Sequence, residues 1–396
     1  MLRSWNRRQF IGGSIAAPLV IPEVAADALP PSAHKPGGEP PAYGVPAPDE
    51  RYVRRTISED GMIAKTPLAV QRGILTPSGL FFTRTHAGVP RIESRSHRLL
   101  VHGAVVRPVF LTMRDILRYP STTRIAFIEC AGNTSQEWNA PSGRTVSETH
   151  GLASCAEWTG VPLRTILEDV GAQATARWLL AEGADGASYD RSIPRDLAES
   201  EALVVYAQNG EMLRPEQGYP LRLLLPGLSG NASVKWLSRI ALMEAPVYSR
   251  EDTARYSEDL PDGRVRPFVF ELGPKSVITT PSGGMRLDDH GTYQIVGFAW
   301  SGAGSIRVVE ISIDGGATWR EAHLDKPILP KAFTRFTGEF RWTGDAATVL
   351  SRATDEQGTR QPTREELLAR RGSTMSYRYN AIHGWKVCGD GKVVRQ

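Results

Sequence analysis

Ile125-Ala126-Phe127-Ile128-Glu129-Cys130-Ala131-Gly132-Asn133-Thr134 joins a run of strand-forming residues to a cluster of turn formers. β-Branched and aromatic side chains favour a pleated, half-buried strand, whereas Gly and Asn favour a turn. The stretch therefore predicts a strand that stops at Cys130. A thiol fixed at a strand end, with Gly132 beside it so that a large group can come close, sits where a ligand to a soft metal would sit. The same pattern suits a small buried hydrophobe, which is the commoner fate of a free cysteine.

Outward from this stretch, strand-like and helix-like segments alternate between Gly73 and about Met243. Leu99 to His102, Trp178 to Ala181, Leu203 to Ala207 and Leu221 to Leu225 read as strands. Leu163 to Val170 has helical spacing and ends at Gly171, a C-cap signal. Past Arg266 the period changes to two: Tyr293 to Trp300 and Ile306 to Ile313 alternate, Asp314-Gly315-Gly316 turns the chain, and Trp319 starts the return. With Phe333 to Trp342 and Thr348 to Ala353, this spacing predicts a β-sandwich of immunoglobulin type. The fold class expected is α+β, a mixed-sheet domain followed by an all-β immunoglobulin-like sandwich.

The 396 residues are too many for one ordinary domain, and a formal net charge of +4 is too small a surplus to suggest nucleic acid. Asn6-Arg7-Arg8-Gln9-Phe10, the modestly apolar Ile15 to Ile21 and the small residues Val24-Ala25-Ala26 form a twin-arginine export pattern, so a periplasmic address is expected. No later run reaches the ~18 apolar residues of a spanning helix, and the mature chain is expected to have no membrane span. The three cysteines, Cys130, Cys155 and Cys388, are too few and odd in number for a disulfide framework. Cys-x-x-Cys-His is absent, so no c-type haem is attached covalently.

Several segments in order resemble the sulfite oxidase family of molybdenum enzymes: Phe81-Phe82-Thr83-Arg84-Thr85-His86, Cys130, Gly151 to Ser154, Trp158 to Leu163, Gly218 to Arg222 and Ser233 to Leu237. Leu213 to Tyr219, Gly263-Arg264 and Lys275-Ser276-Val277 carry a narrower likeness, to members that oxidise sulfane sulfur on a carrier-protein cysteine. The organisation implied is a signal peptide over 1–28, a Pro/Gly-rich arm or linker over 29–72, a molybdopterin-binding oxidoreductase domain over 73–262 and an immunoglobulin-like dimerisation domain over 263–396.

The resemblance implies a molybdenum cofactor built on molybdopterin, with Cys130 as the protein's ligand to the metal. Phe82, Thr83, Arg84, Thr85, His86, Asp185, Gln217, Arg222, Ser233, Val234 and Lys235 fall where the family holds the pterin and its phosphate. Arg84, Tyr256 and Arg378 match substrate-side, catalytic positions. Arginine and lysine give phosphate charge-assisted hydrogen bonds worth ~1.5 to 3 kcal/mol each. The implied activity is oxygen-atom transfer to reduced sulfur, with a separate c-type cytochrome subunit as electron acceptor and a homodimer formed through the carboxyl-terminal domain within a hetero-oligomer. Two departures stand out: sulfite-oxidising relatives commonly carry an arginine where this chain has Ser135, and a histidine where it has Gln217. A pocket with one cation fewer favours a sulfur-carrier protein over a small dianion such as free sulfite. A sulfite dehydrogenase, a sulfoxide reductase and a metal-free scaffold of the same fold are the alternatives.

Overall fold

The structure, a computed structural model, describes residues 36–50, 52–56, 61–138, 144–260, 262–372 and 377–396. The twin-arginine segment lies outside the described residues. The chain divides into two units, residues 1–51 and Tyr52–Gln396. In the first, residues 36–50 are exposed throughout and contain a turn but no helix or strand. The stretch read as an arm does not extend unchanged to residue 72, because Ile63–Lys65 pairs with Thr83–Arg84 inside the larger unit.

Two five-stranded sheets build the first half of the larger unit. One runs Val109–Thr112, Arg98–Gly103, Leu237–Met243, Trp178–Gly183, Asp190–Pro194, and is mixed because Leu237–Met243 lies parallel to Arg98–Gly103. The other is antiparallel: Glu211–Met212, Leu203–Gln208, Ala153–Pro162 and Thr122–Glu129, with Arg222–Leu224 also paired to Leu203–Gln208. The first of these is the expected mixed sheet, and a second, antiparallel sheet accompanies it. Leu99, Val101, Leu179, Ile240, Val204 and Leu223 share one core with the helix Leu163–Asp169. That helix stops as its sequence dictates: Gly171 is left-handed at φ 68°, and a Cβ there would meet the Val106 side chain at 2.9 Å.

The second half is a sandwich of a four-stranded and a five-stranded sheet. Gly291–Trp300 pairs with Thr334–Trp342 in the first, and Ile306–Ser312 with Ala347–Asp355 in the second. Their inward residues Phe298, Trp300, Phe333, Phe336, Val309 and Val349 form its core. The Asp314 carboxylate ties the turn by accepting from the backbone and hydroxyl of Thr318.

Alternation along Thr122–Glu129 decides what each of its residues serves. Ala126 and Ile128 pack with Phe81, Phe82 and Trp158, and Cys130, just past the strand end, touches that cluster. Phe127 and Glu129 face the sandwich. Phe127 meets Trp300 and Phe333, so truncating it to alanine would cost ~3–5 kcal/mol. The Glu129 carboxylate accepts from Lys275 Nζ at 2.7 Å, Trp300 Nε1 at 2.7 Å and Asn133 Nδ2 at 2.9 Å. Lys275 Nζ also donates to the Thr134 hydroxyl at 2.8 Å. These groups are buried, and the pair fastens the loop after Cys130 to the sandwich. Thr134 is left-handed at φ 64°, a costly conformation for a β-branched residue that persists only where its surroundings fix it.

Candidate active site

Cys130, the segment from Phe82 to His86, the end of Trp178–Gly183 and the turn before Leu237–Met243 converge on one cleft. Phe82, Arg84, Thr85, His86, Cys130, Asp185, Gln217, Arg222, Ser233, Val234, Lys235 and Tyr256 line it. Residues separated by more than 170 positions, from Phe82 to Tyr256, meet here.

The cations define the cleft's chemistry. Arg222 and Lys235 face each other across a backbone bridge. Gly218 sits behind them, where a Cβ would lie 3.1 Å from that of Lys235 and 3.3 Å from that of Arg222. Arg222 is buried, donates to the backbone and side-chain oxygens of Gln217 at 3.2 and 3.3 Å, and lies over the Trp158 ring. Lys235 donates to the carbonyls of Arg84 and Glu216, both at 3.0 Å. Among the described residues no carboxylate forms an ion pair with Arg84, Arg222 or Lys235. Burial pushes the Arg222 guanidinium down to about 9. Burial first, and then Arg222, push the Lys235 ammonium well below its ordinary value, against the pull of Asp185 and Glu216. Desolvated cations without counter-charges destabilise a fold unless an anion binds beside them.

Unpaired polar atoms point the same way. The amide nitrogen and oxygen of Asn231 and the Nε of Arg222 are buried without hydrogen-bond partners, and both residues line the cleft. Gln217 bridges the two halves of the cation site, its amide nitrogen donating to the Phe82 carbonyl at 3.0 Å and the Thr83 hydroxyl at 3.3 Å. The Ser233 hydroxyl accepts from the Leu225 N–H at 3.0 Å, and Asp185 accepts from the Tyr189 N–H at 3.0 Å. A phosphate-bearing, hydrogen-bonding heterocycle fits these donors and acceptors.

At the opposite end, Cys130 is half-buried and free. Burial raises its thiol, while the Gly132 N–H and the charges of Arg84 and Lys65 act the other way. A Cβ at Gly132 would lie 3.9 Å from the sulfur, so the glycine leaves the approach to it open. The His86 ring stacks on Tyr189 at 5.1 Å and meets the Tyr256 hydroxyl at 3.2 Å. Burial, with the cations Arg84, Arg255, Lys235 and Arg250, pushes His86 down to about 4, so it is neutral at pH 7. Burial first, then Cys130, raises the Tyr256 phenol, which stays protonated.

Two sequence-predicted residues do not line the cleft. Thr83 turns its hydroxyl to Gln217. Arg378 is buried but spends its guanidinium on the carbonyls of Tyr256, Val269 and Ser257 at 3.2, 3.3 and 3.4 Å, and its own N–H holds Ala131 O at 2.7 Å. It braces both Tyr256 and the Cys130 loop from behind. Conversely, Tyr189 and Asn231 line the cleft without having been singled out. Their proximity to Asp185 and Ser233 in the chain was the available signal. Arg255, adjacent to Tyr256, reaches His86 Nδ1 at 3.3 Å.

A cleft lined by cations, unpaired polar atoms and one free thiol is suited to an anionic ligand held beside that thiol. Residues 86–250 match the family described as oxidoreductase molybdopterin binding domain, and residues 266–387 match the Mo-co oxidoreductase dimerisation domain. Mitochondrial sulfite oxidase of Rattus norvegicus is 34% identical over 283 residues, covering 65% of this chain and 51% of that protein. Nitrate reductase [NADH] of Solanum lycopersicum is 32% identical over 341 residues, 74% of this chain and 37% of that one. The chain thus spans about half the length, or less, of these relatives. The crystal structure of the sulfane dehydrogenase SoxCD from Paracoccus pantotrophus superimposes with a TM-score of 0.90 at 38% identity, covering 94% of this chain and 98% of that one. The chain belongs to the sulfite oxidase family of molybdopterin oxidoreductases, whose cofactor is molybdenum held on molybdopterin.

Proposed function

We propose that the chain is the molybdenum-bearing subunit of a periplasmic sulfane dehydrogenase, which adds oxygen to a sulfane sulfur on a carrier protein's cysteine and passes the electrons to a c-type cytochrome. The observation that carries this reading is the uncompensated cation set of Arg84, Arg222 and Lys235 lining one cleft with the free thiol of Cys130. The likeness to SoxCD along almost the whole chain supports the choice of substrate, and the paired Arg7 and Arg8 support export of a folded, cofactor-loaded protein.

When bound, the cofactor supplies a centre for oxygen-atom transfer and temporary storage of an electron pair. Cys130 would ligate the metal as thiolate, while Arg222 and Lys235 would hold the phosphate end, with Asn231 and Gln217 ordering the heterocycle. Each oxygen added to sulfur derives from one water and releases two protons and two electrons. Arg84 holds the anionic end of the substrate, Tyr256 presents its hydroxyl to the reacting oxygen, and Arg378 keeps Tyr256 and the Cys130 loop in place. Ser135, the neutral first residue of the short helix Ser135–Glu137, stands where sulfite-oxidising relatives commonly carry an arginine and does not itself line the cleft. The sandwich supplies the homodimer contact.

The test uses protein exported through its own leader. Molybdenum content and cytochrome c reduction are measured with a sulfane-loaded carrier protein and with free sulfite. Faster turnover of the carrier-bound sulfane is expected; equal or faster turnover of free sulfite would instead make this a sulfite dehydrogenase. Cys130→Ser should fold normally yet lose turnover by more than ~100-fold, since even residues one shell further from a metal cost ~10 to 100-fold.

A further inference from the structure

We infer that Arg255 is a positioning residue that fixes the tautomer of His86 and thereby aims the Tyr256 hydroxyl proton into the cleft. The inference rests on the reading above that Tyr256 presents its hydroxyl to the reacting oxygen, and it adds a residue to which no role has been given. Arg255 Nη1 lies 3.3 Å from His86 Nδ1, and the Tyr256 oxygen lies 3.2 Å from His86 Nε2. A guanidinium carries five N–H donors and no acceptor, so His86 Nδ1 must be the acceptor and carries no proton. The imidazole is neutral, buried against Tyr189 and surrounded by Arg84, Arg255, Lys235 and Arg250. Its one proton therefore sits on Nε2 and is donated to the Tyr256 oxygen. With that oxygen accepting from the ring, the phenol's own proton is turned away from His86.

The remaining neighbours of Tyr256 do not compete for that proton as charges would. The Tyr189 hydroxyl shares its proton between the Asn231 carbonyl at 3.3 Å and the Tyr256 oxygen, so it acts there as a donor. Arg191 lies over the phenol ring, its carbon 5.2 Å from the centroid, and presents donors alone. Arg378 takes the Tyr256 backbone carbonyl at 3.2 Å, fixing the ring from its other end. Arg255 is itself held from behind by Glu251, whose carboxylate is 3.8 Å from its Nε. The chain Glu251, Arg255, His86, Tyr256 thus has one consistent set of donors and acceptors, ending on a hydroxyl free to donate to an oxygen bound in the cleft. Without Arg255, the imidazole can carry its proton on Nδ1, accept from Tyr256 at Nε2, and draw the phenolic proton out of the cleft.

Nitrogen-15 spectra of the histidine-labelled full chain read the tautomer directly, with His86→Gln assigning one signal among the eight histidines. Wild type and Arg255→Lys should show His86 protonated at Nε2 alone at pH 7, both before and after cofactor loading. Arg255→Met should show protonation at Nδ1, with kcat reduced ~10-fold or more and KM changed less, and Arg255→Lys should recover kcat. Protonation of His86 at Nδ1 in the wild type, an unchanged tautomer in Arg255→Met, or a changed tautomer with unchanged kcat would each overturn the inference. The spectrum of the cofactor-free chain is independent of substrate, so failure of the sulfane reading leaves this test intact.

Discussion

Glu129 and Cys130 are neighbours in sequence and serve opposite regions of the molecule. On the Glu129 side, a buried carboxylate and the Lys275 ammonium neutralise each other at 2.7 Å, and Trp300 and Asn133 donate to the same carboxylate. On the Cys130 side, Arg84, Arg222 and Lys235 line a cleft without a carboxylate in ion-pair contact among the described residues. The same apolar surroundings thus contain one region whose charges are settled within the chain and one whose charges await a ligand. Buried charge by itself marks neither structure nor function. What distinguishes the two is whether the fold supplies the counter-charge.

The comparison breaks most sharply at Lys275. Lys275→Met leaves the Glu129 carboxylate buried and unpaired, so stability should fall by ~3–5 kcal/mol in denaturant unfolding of the cofactor-free chain. Adding Glu129→Gln should restore part of the loss, because the double variant no longer buries a lone charge. Arg222→Met should behave in the opposite way. The cofactor-free chain should hold or gain stability, since a desolvated cation is removed, while cofactor affinity drops by ~1.5 to 3 kcal/mol through the lost charge-assisted contact. Equal losses of stability in the two variants would erase the distinction between the regions.

Acid sharpens it further. His383, packed edge-on against His150 near Lys275, is pushed down to about 3 by burial and then by Arg395 and Lys275, and His150 lies well below its ordinary value for the same leading reason. Both are neutral in the fold, so the unfolded chain takes up protons first as pH drops below 6.5. Their contribution to stability is complete above that pH and is lost on descending toward 3. Thermal unfolding across this window should decline, and His383→Gln should flatten the slope. The smallest effect concerns specificity: Ser135→Arg should raise turnover of free sulfite severalfold by restoring one cation, with little change in stability. No gain would place the preference elsewhere than in the charge of the pocket.

Much of the fold was legible because it follows local periodicity. The alternation from Tyr293 to Trp300 and from Ile306 to Ile313 placed the sandwich strands, and Gly171 stopped its helix where the backbone requires a left-handed residue. The cleft was legible in part, through Cys130 at a strand end and through the family resemblance that singled out Arg222 and Lys235; their convergence was not. Ala153–Pro162, the longest strand of the antiparallel sheet, was less visible because Gly160 and Pro162 interrupt its pattern. A Cβ at Gly160 would meet the Val204 carbonyl at 2.4 Å, so the glycine permits close strand pairing rather than ending the strand.

By itself, then, the sequence determined where the main strands and the turn after Cys130 fall, and its resemblance to a family singled out the side chains suited to an anionic cofactor. Only the tertiary structure decided who partners whom. Lys275 answers Glu129 from 146 residues away, His86 meets Tyr256 across 170, and Arg378 turns its guanidinium to backbone carbonyls instead of into the cleft. The physical reason is that periodicity and turn chemistry act over a few residues, whereas the pairing of charges and hydrogen bonds is set by which distant surfaces the two sheets and the sandwich bring within ~3 Å.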